Sequence, residues 1–330
     1  MSVAVLSKLL AIFATVALGY VAGRMRWLGD SKSDPAKVLS AAAFYIFVPA
    51  LLFRTTARID LHQLPWRSLL AYFVPTALLL VAVYALLRVR RRRDPARATA
   101  VAVPSVRALS VTFGNSVQMG IPLAAALFGE AGLGLHLMLV SLHALILLSL
   151  ATVLVELDLA RERARADAGA GLWATLRSTA RNTLVHPVVL PVLAGMAWSL
   201  SGLGLAPVAD EVLQLLGSAV VPLCLVLIGL SLAYYGLRGH ARGALWVTLA
   251  KLLLLPALVL VVARWGFGMG GVALAVLVMM AAGPVGVNPL IFAQRYQALQ
   301  AQTSAAIVVS TLAFGLSAPL WLWVLSRLPP

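Results

Sequence analysis

The sequence predicts an all-α membrane protein of ten transmembrane helices, built as two inverted five-helix repeats with crossing broken helices at spans four and nine. Three observations predict it. Hydrophobic residues are 62% of the chain and charged residues 11%, with a mean hydropathy of +0.96, where an ordinary soluble domain carries about 25% charge. Apolar runs recur at about the 20 residues that cross a bilayer. Two of those runs are interrupted in matching places of the two halves: Phe113-Gly114-Asn115-Ser116-Val117-Gln118-Met119-Gly120-Ile121-Pro122 and Gly283-Pro284-Val285-Gly286-Val287-Asn288-Pro289. Lipid offers no partner to a bare peptide group, so unwound backbone survives at membrane depth only inside protein or beside a watery cavity.

The ten runs fall at 3–23, 37–53, 68–88, 98–128 (broken), 133–155, 183–202, 210–233, 243–265, 268–294 (broken) and 302–326. The basic residues Arg24 and Arg26 follow the first run instead of preceding it, leaving only Lys8 near its start, which predicts a retained span over a cleaved leader. The polar stretch 156–181, with Arg161-Glu162-Arg163-Ala164-Arg165, divides the chain into a first repeat (1–155), a linker (156–181) and a second repeat (182–330). Of the 26 lysines and arginines, 18 fall in gaps on one side and 5 on the other, with Lys8, Arg107 and Lys251 inside spans. That bias puts the linker in the cytoplasm and both termini outside the cell membrane.

Five spans per half is an odd number, so a structural repeat must be inverted. Three proline pairs support one: Pro49 with Pro222, Pro75 with Pro256, and Pro122 with Pro289. The net charge of +15 does not mark a nucleic-acid binder, because the basic residues sit in short gaps between apolar runs. Cys224 is the single cysteine, which excludes an intramolecular disulfide and a thiolate zinc cluster. No HExxH, GxSxG or P-loop signature is present, so no enzyme and no nucleotide-driven pump is expected, and no cofactor or metal.

Each interruption makes two half-helices. Pro122 and Pro289 suit the first turn of the second half, where a missing N–H does no harm, and Gly114, Gly120, Gly283 and Pro284 mark the bends. If the segments cross, paired helix N-termini attract an anion and paired C-termini a cation. Asn115, Gln118 and Asn288 add uncharged donors and acceptors, and Val285, Gly286 and His186 complete the candidate substrate site. The competing reading is that Asn115 and Asn288 only cap the half-helices. Arg107 is expected to snorkel to the headgroups. Lys251 lies deep in span eight with no evident acid, Glu156 and Asp158 balance local arginines, and His136 and His143 are satisfied core histidines.

At these residues the chain resembles the auxin efflux carrier family, which includes plant PIN auxin carriers and bacterial organic-acid permeases. Asn115–Leu123 is similar to its first crossover motif, and Gly283–Tyr296, with the trailing Phe292-Ala293-Gln294-Arg295-Tyr296, to its second. The resemblance implies a scaffold of spans one, two, six and seven, and a mobile transport domain of spans three to five and eight to ten. It also implies elevator-type alternating access, a homodimer, and an Asn115 that contacts the substrate carboxylate. His186 stands where plant members carry Asn, and Asn288 where they often carry an apolar residue. A small carboxylate such as malate, or an auxin-like acid, is thus the expected cargo, with possible proton or sodium coupling. Other readings are a sodium-coupled organic-anion symporter like the bile-acid transporters, a channel or receptor, and an intramembrane enzyme.

Overall fold

Apolar surroundings force a backbone to satisfy its own hydrogen bonds, and every regular element among the described residues is helical. The computed structural model describes residues 3–29, 35–58, 64–93, 100–166, 187, 189–235 and 241–328. In chain order the helices are α1 (Val3–Arg24), α2 (Pro35–Ala57), α3 (Trp66–Arg93), α4 (Val103–Thr112), α5 (Ile121–Ala166), α6 (Val189–Leu200), α7 (Pro207–Ser218), α8 (Val220–Tyr235), α9 (Ala241–Gly266), α10 (Gly271–Ala282), α11 (Asn288–Arg295) and α12 (Gln300–Ser326).

Six described stretches are long and apolar enough to cross a membrane: α2, α3, most of α5, α7 with α8, α9 and α12. Of the other expected spans, the first is the unbroken 22-residue α1, the sixth contains the 12-residue α6, and the fourth and ninth are split. Spans four and nine are divided into pieces such as α4, α10 and α11, none longer than 12 residues except where α5 continues. Gly129, with φ 60 and ψ −160, breaks α5 between the end of span four and the start of span five. Beyond it the helix runs through Ala166, so the first part of the expected linker is helical, and 167–181 lies outside the described residues. Exposed tryptophans gather near helix ends (Trp27, Trp66, Trp265 and Trp323 among them), where an amphipathic ring meets the water boundary of a bilayer.

Two prolines are accommodated by π-helical turns just upstream: Ala43–Phe47 before Pro49 and Ala250–Leu254 before Pro256. Proline removes the N–H that would serve the carbonyl four residues back. For Pro256 that carbonyl is Leu252, and the buried Trp321 indole N–H donates to it at 2.7 Å.

Packing sorts the helices. α1 lies along α8, and α2 packs on α6 and α7. α3 packs on α4 and α9, α9 on α10 and α12, and α5 on α10 and α4. The α1–α8 contact is backbone against backbone: a Cβ on Gly19 would stand 2.2 Å from the Val226 carbonyl oxygen, and one on Gly229 2.1 Å from that of Val16. Small residues are what allow membrane helices to approach this closely. Val276 through Ala282 of α10 are all buried, which explains why that helix is apolar on every side.

Ion pairs tie the polar ends. Arg54 holds Asp210 through Nε at 2.8 Å and Nη2 at 3.0 Å, joining α2 to α7. Arg88 Nε meets Asp158 Oδ1 at 2.8 Å, and Arg161 reaches the same oxygen at 3.2 Å. Among the described residues no arginine pairs with Glu156. Its carboxylate accepts the Tyr296 hydroxyl at 3.0 Å, and burial together with that carboxylate raises the Tyr296 pKa, keeping the hydroxyl a donor.

Candidate functional site: the paired helix breaks

The two interruptions meet. α4 ends at Thr112, Phe113 is extended at φ −85 and ψ 110, and Gly114 forms an isolated antiparallel bridge with Val285. The Asn115 N–H donates to the Pro284 carbonyl at 2.8 Å, and the Gly286 N–H donates to the Phe113 carbonyl at 2.9 Å. Unwound peptides from one break thus satisfy those from the other. Only glycine fits at 286: an added Cβ would lie 2.8 Å from the Gly114 carbonyl oxygen and 2.9 Å from Phe113 Cδ1.

Side chains from other helices fix the remaining backbone groups. The Gly114 N–H donates to His143 Nε2 at 3.2 Å. A nitrogen that accepts an N–H carries no proton, so His143 is neutral with its proton on Nδ1, facing the Tyr72 hydroxyl at 3.5 Å. His136 has the opposite tautomer, because its Nε2 lies 2.8 Å from the Ser116 carbonyl and must donate. Both are buried, and Gly120 leaves the room that His136 occupies, with its Cβ position 2.6 Å from Nε2. The Val285 N–H donates to Ser310 Oγ at 3.0 Å.

A cleft of about 110 Å³ opens beside this pairing, room for several waters or one small acid. One wall is the breaks themselves (113–117 and 286–288) with Ser141 and His143 of α5; the facing wall is α2 around Thr55 and α8 at Val220 and Val221. Asn115 is 5% exposed, its Oδ1 is buried with no hydrogen-bond partner among the described residues, and it makes no capping bond. Asn288 is half-buried at the first position of α11, and no side chain caps that helix. The capping alternative is therefore not what these asparagines do here. An orphaned buried amide oxygen costs about 1–3 kcal/mol, a cost that only a hydrogen-bond donor entering the cleft would offset.

The structure brings together Gly114, Asn115, Gly286 and Asn288 at the cleft. Val285 is fully buried behind it and does not line it. Pro284 contributes its carbonyl, Gly283 ends α10, and Pro122 and Pro289 both fall at the second position of their helices. The Gln118 and Pro122 side chains and all of His186 lie outside the described residues. Arg107 Nη2 donates to Gln302 Oε1 in the first turn of α12 at 3.0 Å. Thr55, Ser141 and Ser310 carry no signal in the sequence, each being one hydroxyl in an apolar run far from the breaks.

Six membrane-length helices and a small recess at the paired breaks mark a multi-pass membrane protein. A family model described as "Membrane transport protein" matches residues 4–322. The chain belongs to that family, the auxin efflux carrier family. It is 23% identical over 304 residues, 92% of this chain and 90% of the relative, to a Rhizobium meliloti (strain 1021) protein named "Putative malonate transporter". It is 25% identical over 317 residues, 96% of this chain and 97% of the relative, to a protein of Methanothermobacter thermautotrophicus named "Uncharacterized transporter". Family and names indicate transport and not enzymatic turnover.

Proposed function

We propose that this chain is a secondary carrier for small organic anions, with dicarboxylates of malonate or malate size as the substrate class. The observation that carries this reading is Asn115 at the rim of a cleft walled by two paired helix breaks. Its Nδ2 makes no hydrogen bond among the described residues, so that donor is open to a carboxylate, while its buried, unpartnered Oδ1 would take a water or a protonated acid group. The name of the Rhizobium relative supports the substrate class.

Packing supports the inverted five-span repeat. Exchanging span one for six and two for seven turns the α1–α8 contact into the α6–α2 contact, and both are present. The same exchange relates α3–α4 to α9–α10, also both present. The cleft lies between α2 and α8 on one side and the breaks on the other, which fits a scaffold of spans one, two, six and seven past which the broken spans slide as an elevator. A scaffold-mediated homodimer in the cell membrane, both termini outside, completes the proposal.

Reconstitution in proteoliposomes tests it. Labelled malonate or malate uptake by the parent should saturate and be displaced by unlabelled acid. Asn115→Ala should cut it about tenfold or more, a loss equivalent to about 1.4 kcal/mol of binding, with a normal gel-filtration profile. Uptake indifferent to Asn115→Ala would remove the cleft as the site, and unitary currents in a planar bilayer would replace the carrier with a channel.

A further inference from the structure

Lys251 is fully buried, at 0% exposure, in the π-helical turn Ala250–Leu254 of α9. Such turns recur at functional sites because they redirect a side chain that a regular helix would aim elsewhere. Its ammonium donates to the Ala281 carbonyl at 2.6 Å, next to the C-terminal end of α10, where the helix dipole places about half a negative charge. A lysine has three donors, and this is the one hydrogen bond the described residues give it. No carboxylate among the described residues lies within ion-pairing distance of it.

A buried ammonium without a counter-anion is costly unless something nearby compensates it, and half a charge from a helix end compensates in part. What separates Lys251 from the cleft is Gly114, which lines the cleft and whose Cβ position is 3.3 Å from Nζ. A larger residue there would press on the ammonium. His143, the other titratable group on Gly114, is neutral by its tautomer. When protonated, Lys251 therefore acts on the cleft across a single glycine peptide, its charge only partly offset by the end of α10.

We infer that Lys251 is the resident cation of the transport site. Its ammonium occupies the seat at the end of α10 that a dissolved cation would otherwise fill, and it supplies the fixed charge that favours carboxylates in the cleft. The inference rests on the carrier reading and deepens it: the chain carries its own cation and needs no sodium to neutralise the crossing. Lys251 acts through the backbone and the field, so it is a positioning residue.

The test separates charge from packing. Binding of malonate, its half-amide malonamate and the neutral diamide malonamide is measured by thermal shift on the purified parent, Lys251→Met and Asn115→Ala. Lys251→Met keeps the length and removes the charge. Malonate should weaken by more than malonamate, with on the order of a tenfold loss per carboxylate charge, while uptake by the parent stays unchanged when choline replaces sodium. Lys251→Ala vacates the seat, and sodium or methylammonium at millimolar concentration should stimulate its uptake but not the parent's. Equal losses for malonate and malonamate, or none, overturn the inference and leave the Asn115 site standing, as does parental uptake that requires sodium. A parent that binds no small carboxylate sinks the carrier reading beneath it, and an Asn115→Ala variant that binds as the parent does removes the cleft as the site.

Discussion

Gly286→Ala is the sharpest perturbation of the crossing, because its added methyl meets backbone and not a movable side-chain tip. The new Cβ would lie 2.8 Å from the Gly114 carbonyl oxygen and 3.0 Å from its carbonyl carbon, so the two strands of the bridge must part. Parting breaks the 2.9 Å bond from the Gly286 N–H to Phe113 and strains the 2.8 Å bond from Asn115 to Pro284. Both lie among buried residues, and each unpaired buried group costs about 1–3 kcal/mol. Two such groups give at least about 2 kcal/mol, a factor of roughly 30 in the population of the intact site. Each half-helix keeps its own neighbours (α4 on α3, α10 on α9), so the chain should still fold. The assay is initial uptake rate per mole of reconstituted protein, alongside a melting curve. A Gly286→Ala variant transporting within twofold of the parent would show that the bridge is not needed to form the site.

Other perturbations address the supports of the crossing. His143→Ala orphans the Gly114 N–H and should cost about 1–3 kcal/mol of unfolding free energy, read as a lowered melting temperature, while His143→Gln, which retains an acceptor, should lose less. Trp321→Phe keeps the ring in the core but leaves the Leu252 carbonyl with neither Pro256 nor an indole to serve it; a loss of about 1–3 kcal/mol is expected by the same measurement. Tyr296→Phe removes the donor to Glu156, a hydrogen bond to a charged group worth about 1.5–3 kcal/mol, and should raise protease sensitivity around 296. Gly229→Ala forces α1 from α8, with overpacking of about 1–3 kcal/mol visible as a lower melting temperature and unaltered substrate affinity.

The helical class and the position of each break were legible in the sequence because both follow from short-range chemistry, whereas their meeting was a condition drawn from their matching places in the two halves. Apolar length demands a helix, and clustered Pro, Gly and Asn announce where one must stop. The partner of each long side chain was not legible. Nothing local distinguishes an Arg107 that reaches Gln302 from one that reaches headgroups, since the pair is separated by 195 positions. Glu156 sits among arginines in sequence yet bonds Tyr296, because helix packing and not proximity along the chain selected it. Lys251 looked anomalous for lack of an acid; its acceptor is a main-chain carbonyl, which every residue has and none advertises. The expected linker begins as a continuation of α5, which runs to Ala166, because arginine is a good helix former and a basic stretch need not leave the helix where the apolar run ends.

At Gly19 and Gly229 no side chains interdigitate between α1 and α8; main chain rests directly on main chain. Such a contact has no rotamers to exchange and no alternative register within reach, since a step along either helix would drive a bulkier residue into the opposing peptide. The two helices must travel, or stay put, as a single plate. If the cleft opens to alternate sides as proposed, the rearrangement has to occur along the side-chain-lined surfaces elsewhere, and a crosslink between α1 and α8 should leave the turnover cycle intact.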